Sequence, residues 1–217
     1  TTLLLGIVGS TAYGLDTPAS DIDRLGLFVA PTLEVAGLDW HSSNESRVKQ
    51  GPEGDDIALH EVGKFMRLAL RANPTITELL WIERSGYEVY TPKGAALLHI
   101  RRAFLSNRAV WNAYHGYAEA QVKKYRDGFT RPKFARHALR LLEQGRQLHL
   151  SGDLQVRVTD PQRYFDLDDM THQQVMEVLK GALTAWEPEL SSPLPSEPDH
   201  ARVRDLLNDI RRNYLEA

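Results

Sequence analysis

A glycine-serine pair at the end of one short apolar run, followed by two aspartates at the head of the next, constrains this chain more than any other feature. The segment reads LLLGIVGSTAYGLDTPASDIDRLGLFVAP and holds Gly9, Ser10, Asp21 and Asp23. Each apolar run is short and is stopped by glycine or proline, which predicts two buried strands joined by a turn-rich connection. Because alternate side chains of a strand share a face, the two aspartates are predicted to point to the same side.

The paired aspartates are suited to binding a divalent metal ion. Mg²⁺ prefers hard oxygen ligands and usually keeps several waters, so a strand with two carboxylates suits a site that shares its ions with the phosphates of a nucleotide. Gly9 and Ser10 lie at the turn out of the first strand, where backbone N–H groups and a hydroxyl can bind those phosphates. A second D-x-D pair, at Asp166 and Asp168, has no preceding Gly-Ser turn, and we interpret it as a solvated capping segment.

A third carboxylate is predicted on the following strand. Ile57 and Leu59 form an apolar face, which places Asp56 on the opposite face. Asp55 would point the other way from Asp56, and Glu61 is interpreted as a first-turn helix residue favoured by the helix dipole. The alternative is that Asp56 is only a surface acid in front of a strand.

The rest of the chain is predicted to be mainly helical. Apolar periodicity predicts a helix from Glu61 to Asn73, and the capping-box spacing of Thr75 and Glu78 predicts another that begins at Thr75 and runs through Trp81. Further helices are predicted over 92–105, 108–126, 132–150, from the capping pair Thr171 and Gln174 to 186, and from Asp199, with short strands at 47–49, 87–90 and 154–158. This order of elements, with strands first and helices second, predicts an α+β fold. A small mixed sheet would carry the acidic cluster, and a helical half would complete the cleft.

One of the predicted helices carries a polar stripe beside its apolar face. On 132–150, Lys133, His137, Arg140 and Gln144 recur at helical spacing. Such a stripe could face a cleft and neutralise a triphosphate or an acceptor's phosphate. The alternatives are an ordinary solvated helix face and, for His137, a packed histidine with no role in proton transfer.

The overall charge excludes some modes of binding. The chain has 26 basic and 29 acidic residues, a formal charge of −3, so any nucleic-acid surface must be local. It contains no cysteine, which excludes disulfides, thiolate metal sites and cysteine nucleophiles. The longest early apolar run is far shorter than a membrane span, and we expect a cytoplasmic protein without a membrane partner.

The motifs GSTAYG and SDID, followed by an isolated aspartate on a later strand, resemble those of the nucleotidyltransferase superfamily that includes DNA polymerase β. The segments NPTITELLW, SNRAVWNAYHGYA, KFARHALRLLEQG and SPLPSEPD are similar to segments of the predicted bacterial and phage nucleotidyltransferases linked to RNA repair. The resemblance implies a catalytic domain like the polymerase β palm at residues 1–105. It implies a helical C-terminal domain at residues 106–217.

The resemblance also implies a reaction. A nucleoside monophosphate would pass from a nucleoside triphosphate to a hydroxyl acceptor, an RNA 3′ end in our interpretation, with release of pyrophosphate. Asp21 and Asp23 would bind two Mg²⁺ ions, with Mn²⁺ as an alternative ion, and Asp56 would join them and orient or activate the attacking hydroxyl. Two metal ions stabilise both the entering and the leaving oxygen of an in-line displacement. Gly9, Ser10 and the cations of the helix stripe would bind the nucleotide.

Two other functions stay open from the sequence. The same chemistry could act on a protein side-chain hydroxyl or a small molecule, because no dedicated RNA-binding motif is present. The third function is a binding module that retains nucleotide without turnover, which Asp56 lying far from Asp21 and Asp23 would favour. The preferred base, the oligomeric state, the biological pathway and the true N-terminus are not fixed by the sequence.

Overall fold

The computed structural model describes residues 1–50, 56–127, 131–188 and 190–216. Its strands form one mixed sheet in the order β3-β4-β2-β1-β5, in which β2 and β4 are parallel and the other neighbours antiparallel. The strands are β1 (Thr2–Val8), β2 (Asp23–Phe28), β3 (Ser46–Gln50), β4 (Asp56–Glu61) and β5 (Tyr87–Tyr90). Asp55 lies outside the described residues. The predicted strands around positions 3–8, 22–29, 47–49, 56–60 and 87–90 are confirmed.

Helices surround the sheet and make up most of the second half of the chain. They are α1 (Gly9–Tyr13), α2 (Thr32–Val35), α3 (Val62–Ala69), α4 (Pro74–Leu79), α5 (Pro92–His99), α6 (Asn107–Arg126), α7 (Pro132–Ser151), α8 (Pro161–Phe165), α9 (His172–Thr184) and α10 (His200–Asn213). The α+β prediction is therefore confirmed. Ser106 caps α6 where the predicted second domain begins, and buried apolar residues on both sides of that position join in one continuous core.

Local capping chemistry explains where several helices begin. Asn73 caps α4 by accepting a hydrogen bond from the Ile76 N–H, so our sequence-based choice of Thr75 as the capping residue is wrong by two positions. Thr171 and Gln174 form the predicted capping box of α9, and Asp199 caps α10 as predicted.

Two short segments differ from the sequence-based prediction. Residues 9–13 form one turn of helix instead of an irregular turn. Residues 154–158 form no strand, because their backbone groups have other partners. The Gln144 side-chain amide donates hydrogen bonds to the carbonyls of Gln155 and Val156, and the Val158 N–H donates to the Tyr13 carbonyl. A segment whose polar backbone groups are satisfied by a side chain has no need of a neighbouring strand.

The two longest helices, α6 and α7, pack closely against each other. Gly145 allows this close approach, because a Cβ at that position would lie 2.5 Å from the Cβ of Tyr114 and 2.6 Å from the Trp186 ring. The packing fixes the C-terminal end of α6 beside the N-terminal end of α7. Within the described part of the chain, no helix has both the length and the apolar character needed to cross a membrane.

Candidate active site

A cleft of about 800 Å³ opens where the adjacent ends of β1, β2 and β4 meet the first turns of α7. All of the site residues predicted from the sequence line it: Gly9, Ser10, Asp21, Asp23, Asp56, Lys133, His137 and Arg140. The sheet and its connections contribute the acidic side chains, and α7 contributes the basic ones. The structure thus brings together residues that lie more than a hundred positions apart in the sequence.

Strands β2 and β4 place Asp23 and Asp56 side by side. The strands pair in parallel with Arg24 opposite Ile57, so the residues one position earlier are neighbours on the same face of the sheet. Asp21 comes just before β2. Burial, and then the nearby Asp56 and Asp21 carboxylates, raise the pKa of Asp23 above its ordinary value of 3.8. Three negative charges therefore converge here, and a bound cation would relieve their repulsion.

Gly9 lets the Asp23 carboxylate approach the backbone at the start of α1. Its φ of +69° lies in the left-handed region, and a Cβ at this position would be only 2.3 Å from Asp23 Oδ2. Glycine alone combines this backbone conformation with the required space. Val8, which precedes the helix, has no side chain able to cap the N–H groups of the first turn. The Gly-Ser pair is thus packed directly against one of the carboxylates.

Thr17 and Ser20 order the loop that carries Asp21. The Thr17 N–H donates to Ser20 Oγ at 2.9 Å, and the Ser20 N–H donates back to the Thr17 carbonyl at 2.9 Å. Both residues line the cleft. The position of Asp21 therefore follows from a closed hydrogen-bonded turn directly before it.

Arg140 is a buried cation that holds the helices around the cleft together. Its side chain is 1% exposed, its Nη1 donates to Glu78 Oε1 at 2.9 Å and to Gln144 Oε1 at 2.5 Å, and its guanidinium lies 3.6 Å from the centre of the Tyr13 ring. The Tyr13 hydroxyl donates to the other Glu78 oxygen at 2.5 Å. This network ties α7 to α1 and α4 and so fixes the short helix that begins at Gly9. A direct contact between Arg140 and a nucleotide stays a prediction.

His137 is held in its neutral form. Burial, followed by the positive charges of Arg140 and Lys124, lowers the pKa of His137 from 6.5 to about 3. Its Nδ1 lies 3.1 Å from Arg140 Nη2, and because arginine can only donate, Nδ1 is the acceptor and Nε2 carries the proton. A neutral imidazole can donate a hydrogen bond to a phosphate oxygen but adds no charge near neutral pH.

Lys133 and Arg136 are the other cations of α7 at the cleft. Lys133 is exposed, whereas Arg136 is paired with Asp168 and lies over the ring of Phe165. The second D-x-D pair thus supplies a partner for a cleft residue and is more than a solvated cap. Lys133 is better placed than Arg136 to meet a ligand's charge, since Arg136 already has a carboxylate partner.

Asp21, Asp23 and Asp56 form the acidic wall of the cleft, and their oxygen donors fit a hard divalent cation. Carboxylate oxygens are the ligands that Mg²⁺ and Mn²⁺ prefer, and after burial the neighbouring Asp56 and Asp21 carboxylates contribute to the raised pKa of Asp23. In the described ranges, no group of three or more His, Asp or Glu side chains is already arranged as a ready metal site. Binding of metal by Asp21, Asp23 and Asp56 therefore stays a prediction that the chemistry of the residues supports.

Several cleft residues were missed by sequence reasoning. Phe134, Gln121 and Thr75 line the cleft beside the predicted residues. Phe134 reads as an ordinary apolar position of an amphipathic helix, and no local pattern shows that Gln121 of α6 faces the sheet. Glu78 was also missed, because its partners Tyr13 and Arg140 are 65 and 62 positions away.

Comparison with known families agrees with this geometry. The model of the RlaP family, described as the RNA repair pathway DNA polymerase beta family, matches residues 1–191. The chain belongs to this family. The resemblance to polymerase β-like nucleotidyltransferases linked to RNA repair is thereby confirmed, and membership of the RlaP family supports a nucleotidyltransferase role in RNA repair. The matched range covers the three carboxylates and both long helices. No curated protein matches the chain.

Proposed function

We propose that the protein transfers a nucleoside monophosphate from a nucleoside triphosphate to the 3′ hydroxyl of an RNA and releases pyrophosphate. Family membership supports the class of reaction. The observation that carries the proposal is the shared cleft, in which Asp21, Asp23 and Asp56 meet Lys133 and the first turns of α7. Negative groups that attract metal, beside a cation that attracts phosphate, suit the charges of a metal-bound triphosphate.

In the proposed reaction, the acceptor oxygen forms a bond to the α-phosphorus while the bond from that phosphorus to the bridging oxygen breaks. Asp21 and Asp23 would hold Mg²⁺, with Mn²⁺ as an alternative ion, and Asp56 would orient the attacking hydroxyl and accept its proton. Two such ions supply charge stabilisation for the entering and leaving oxygens of an in-line displacement. The negative charge leaves on pyrophosphate. The remaining work of the chain is positioning and electrostatic stabilisation.

The other cleft residues bind and position the triphosphate. Gly9 and Ser10 offer first-turn N–H groups and a hydroxyl, and Lys133 offers a mobile positive charge. His137 offers an Nε2 proton from a ring that the Arg140 hydrogen bond orients. Arg140 acts through Glu78 and Tyr13, which hold α1 in place beneath the phosphates.

The proposal is tested by following labelled nucleotide. The protein is incubated with each α-phosphate-labelled nucleoside triphosphate, Mg²⁺ and total RNA, and the label is traced to RNA, to protein or to neither. We expect transfer to RNA that is lost in Asp21→Ala with Asp23→Ala. The matched control, Asp205→Ala with Asp209→Ala, removes two exposed carboxylates of α10 and should transfer normally.

The outcomes separate the three candidate functions. Label on protein supports the same chemistry with a side-chain hydroxyl as acceptor. Nucleotide that binds and is never transferred, with or without RNA, supports a binding module without turnover. Unchanged transfer by the Asp21 and Asp23 double variant would refute the assignment of the site.

A further inference from the structure

An aromatic ring with two lysines beside it stands at the cleft. Phe134 is half-buried and lines the cleft, and the Nζ atoms of Lys124 and Lys133 lie 5.8 Å and 5.9 Å from the centre of its ring. Lys124 also acts electrostatically on His137, so it lies near the cleft although it belongs to α6. Both ammonium groups lie over the ring at these distances. A ring that attracts cations suits a nucleic acid, because it can stack on a base while the cations meet the phosphates.

A second ring, which is more exposed than Phe134, continues this surface along α6. Tyr117 is 44% exposed, and it lies one helical turn before Gln121, which lines the cleft. Its hydroxyl accepts a hydrogen bond from Asn73 Nδ2 at 2.8 Å, which orients the ring. From Tyr117 to Lys124 the helix rises about 10 Å, which matches roughly three stacked nucleotides at about 3.4 Å each.

The charge of this region differs from that of the whole protein. The end of α6 and the start of α7 carry five exposed cations, Lys123, Lys124, Arg126, Arg131 and Lys133, and of these Arg126 is paired with Asp127. The whole chain has a formal charge of −3. The local excess of positive charge is therefore the surface that an overall acidic protein needs in order to bind a polyanion.

We propose that Tyr117, Gln121, Lys124 and Phe134 form an acceptor track that binds the single-stranded 3′ end of the RNA. The two rings stack on bases, Lys124 neutralises the backbone, and Gln121 and Phe134 lead the terminal hydroxyl to the carboxylates in the same cleft. The inference rests on the proposed function for its choice of acceptor. One exposed ring, Tyr117, and one half-buried ring, Phe134, set among cations favour RNA over a peptide, for which an apolar groove would be expected.

Binding is measured without nucleotide or metal, so that the test does not depend on the chemistry. A short fluorescein-labelled single-stranded RNA is titrated with protein, and its anisotropy gives the dissociation constant. We expect Phe134→Leu and Tyr117→Leu each to weaken binding roughly tenfold. Tyr117→Phe keeps the ring and should bind as the wild type does. Lys124→Gln should reduce the slope of log affinity against log salt by about 0.7.

Two controls separate this inference from the proposed function. Asp21→Ala with Asp23→Ala should bind the RNA at least as well as the wild type while losing transfer. If the catalytic assignment fails, the binding measurement can therefore still be interpreted on its own. Lys180→Gln removes an exposed cation of α9 outside the cleft and should leave the RNA affinity unchanged. Wild-type affinity in both leucine variants overturns the acceptor track. No RNA binding by the wild type, or equal dependence on the rings with duplex RNA, overturns it as well.

Discussion

Replacing Gly9 with alanine tests the geometry of the candidate active site at a single atom. The new Cβ would lie 2.3 Å from Asp23 Oδ2, about 1 Å short of the ordinary contact distance of 3.4 Å. Asp23 must therefore move by about that much or turn away from the cleft. Displacements of about 1 Å in a catalytic site can reduce rates by roughly 100-fold. We expect transfer activity to fall by about that factor or more.

The same substitution has a smaller cost for stability. A residue other than glycine at a φ of +69° loses about 1–2 kcal/mol, which corresponds to a decrease of roughly 2–8 °C in melting temperature for a chain of this size. Gly152→Ala is a matched control, because Gly152 also has a φ of +69° but ends α7 at the opposite end from the cleft. A Cβ at Gly152 would only meet the flexible end of Leu194, at 3.3 Å.

The assay compares the initial rate of label transfer with the thermal midpoint for both variants. We expect similar thermal shifts and a loss of activity only in Gly9→Ala. If the two variants lose activity equally, the approach of Asp23 to Gly9 has no special importance for function. If Gly9→Ala keeps wild-type activity, the placement of Asp23 as a catalytic ligand is wrong.

The remaining predictions concern charges. Arg140→Met leaves the buried Glu78 without its ion-pair partner, so it should lower the free energy of unfolding, measured with urea, by about 3–5 kcal/mol. The double variant Glu78→Gln with Arg140→Met should recover most of that loss. If neither effect is seen, the pair is not important for stability. The pKa of His137 is about 3 in the folded protein against 6.5 for an ordinary histidine, so the unfolded chain binds a proton at higher pH than the folded protein does. The free energy of unfolding should therefore fall as the pH drops from about 6.5 towards 3. NMR of the folded protein should show a neutral ring with Nε2–H at pH 5, and titration of His137 near 6.5 would contradict the assignment. Because the pKa of Asp23 is raised, its ionisation lowers the stability of the metal-free protein as the pH rises above about 3.8. Asp56→Asn removes one of the neighbouring charges, so it should raise the melting temperature at pH 7 in EDTA while abolishing transfer. The control Asp205→Asn should change neither the melting temperature nor transfer.

The acidic wall of the cleft could be predicted from the sequence because strand alternation is a local rule. Asp21, Asp23 and Asp56 were predicted from the two-residue period of strands. β2 and β4 place Asp23 and Asp56 where that period predicts, whereas Asp21 lies just before β2 and not on the strand. The sequence does not state that β2 and β4 are parallel neighbours. That pairing, which places Asp23 beside Asp56, follows from the sheet order.

The network behind the cleft could not be predicted, because it depends on contacts between distant segments. Glu78 reads as a surface residue of a short helix, yet it is 1% exposed and joins Tyr13 to Arg140. Arg140 reads as one member of a cationic stripe, although its guanidinium is held inside the protein. No local period distinguishes a cation that faces a ligand from one that faces a buried carboxylate.

The two tyrosines of α6 also show that sequence alone does not predict which side chains are buried by tertiary packing. Tyr114 and Tyr117 lie one turn apart on α6 and both read as packing residues, but Tyr114 is fully buried and Tyr117 is 44% exposed. Which of them packs depends on where α7 crosses α6, and Gly145 allows that contact at Tyr114.

Metal binding tests the central claim most directly. Mn²⁺ is titrated into the protein in the presence of a non-hydrolysable nucleoside triphosphate, and free Mn²⁺ is measured by electron paramagnetic resonance to count the bound ions. We expect two ions per chain in the wild type and in the Asp205→Asn with Asp209→Asn control, and loss of the protein-dependent sites in Asp21→Asn with Asp23→Asn. Identical binding curves for the wild type and the Asp21 and Asp23 variant would contradict the account.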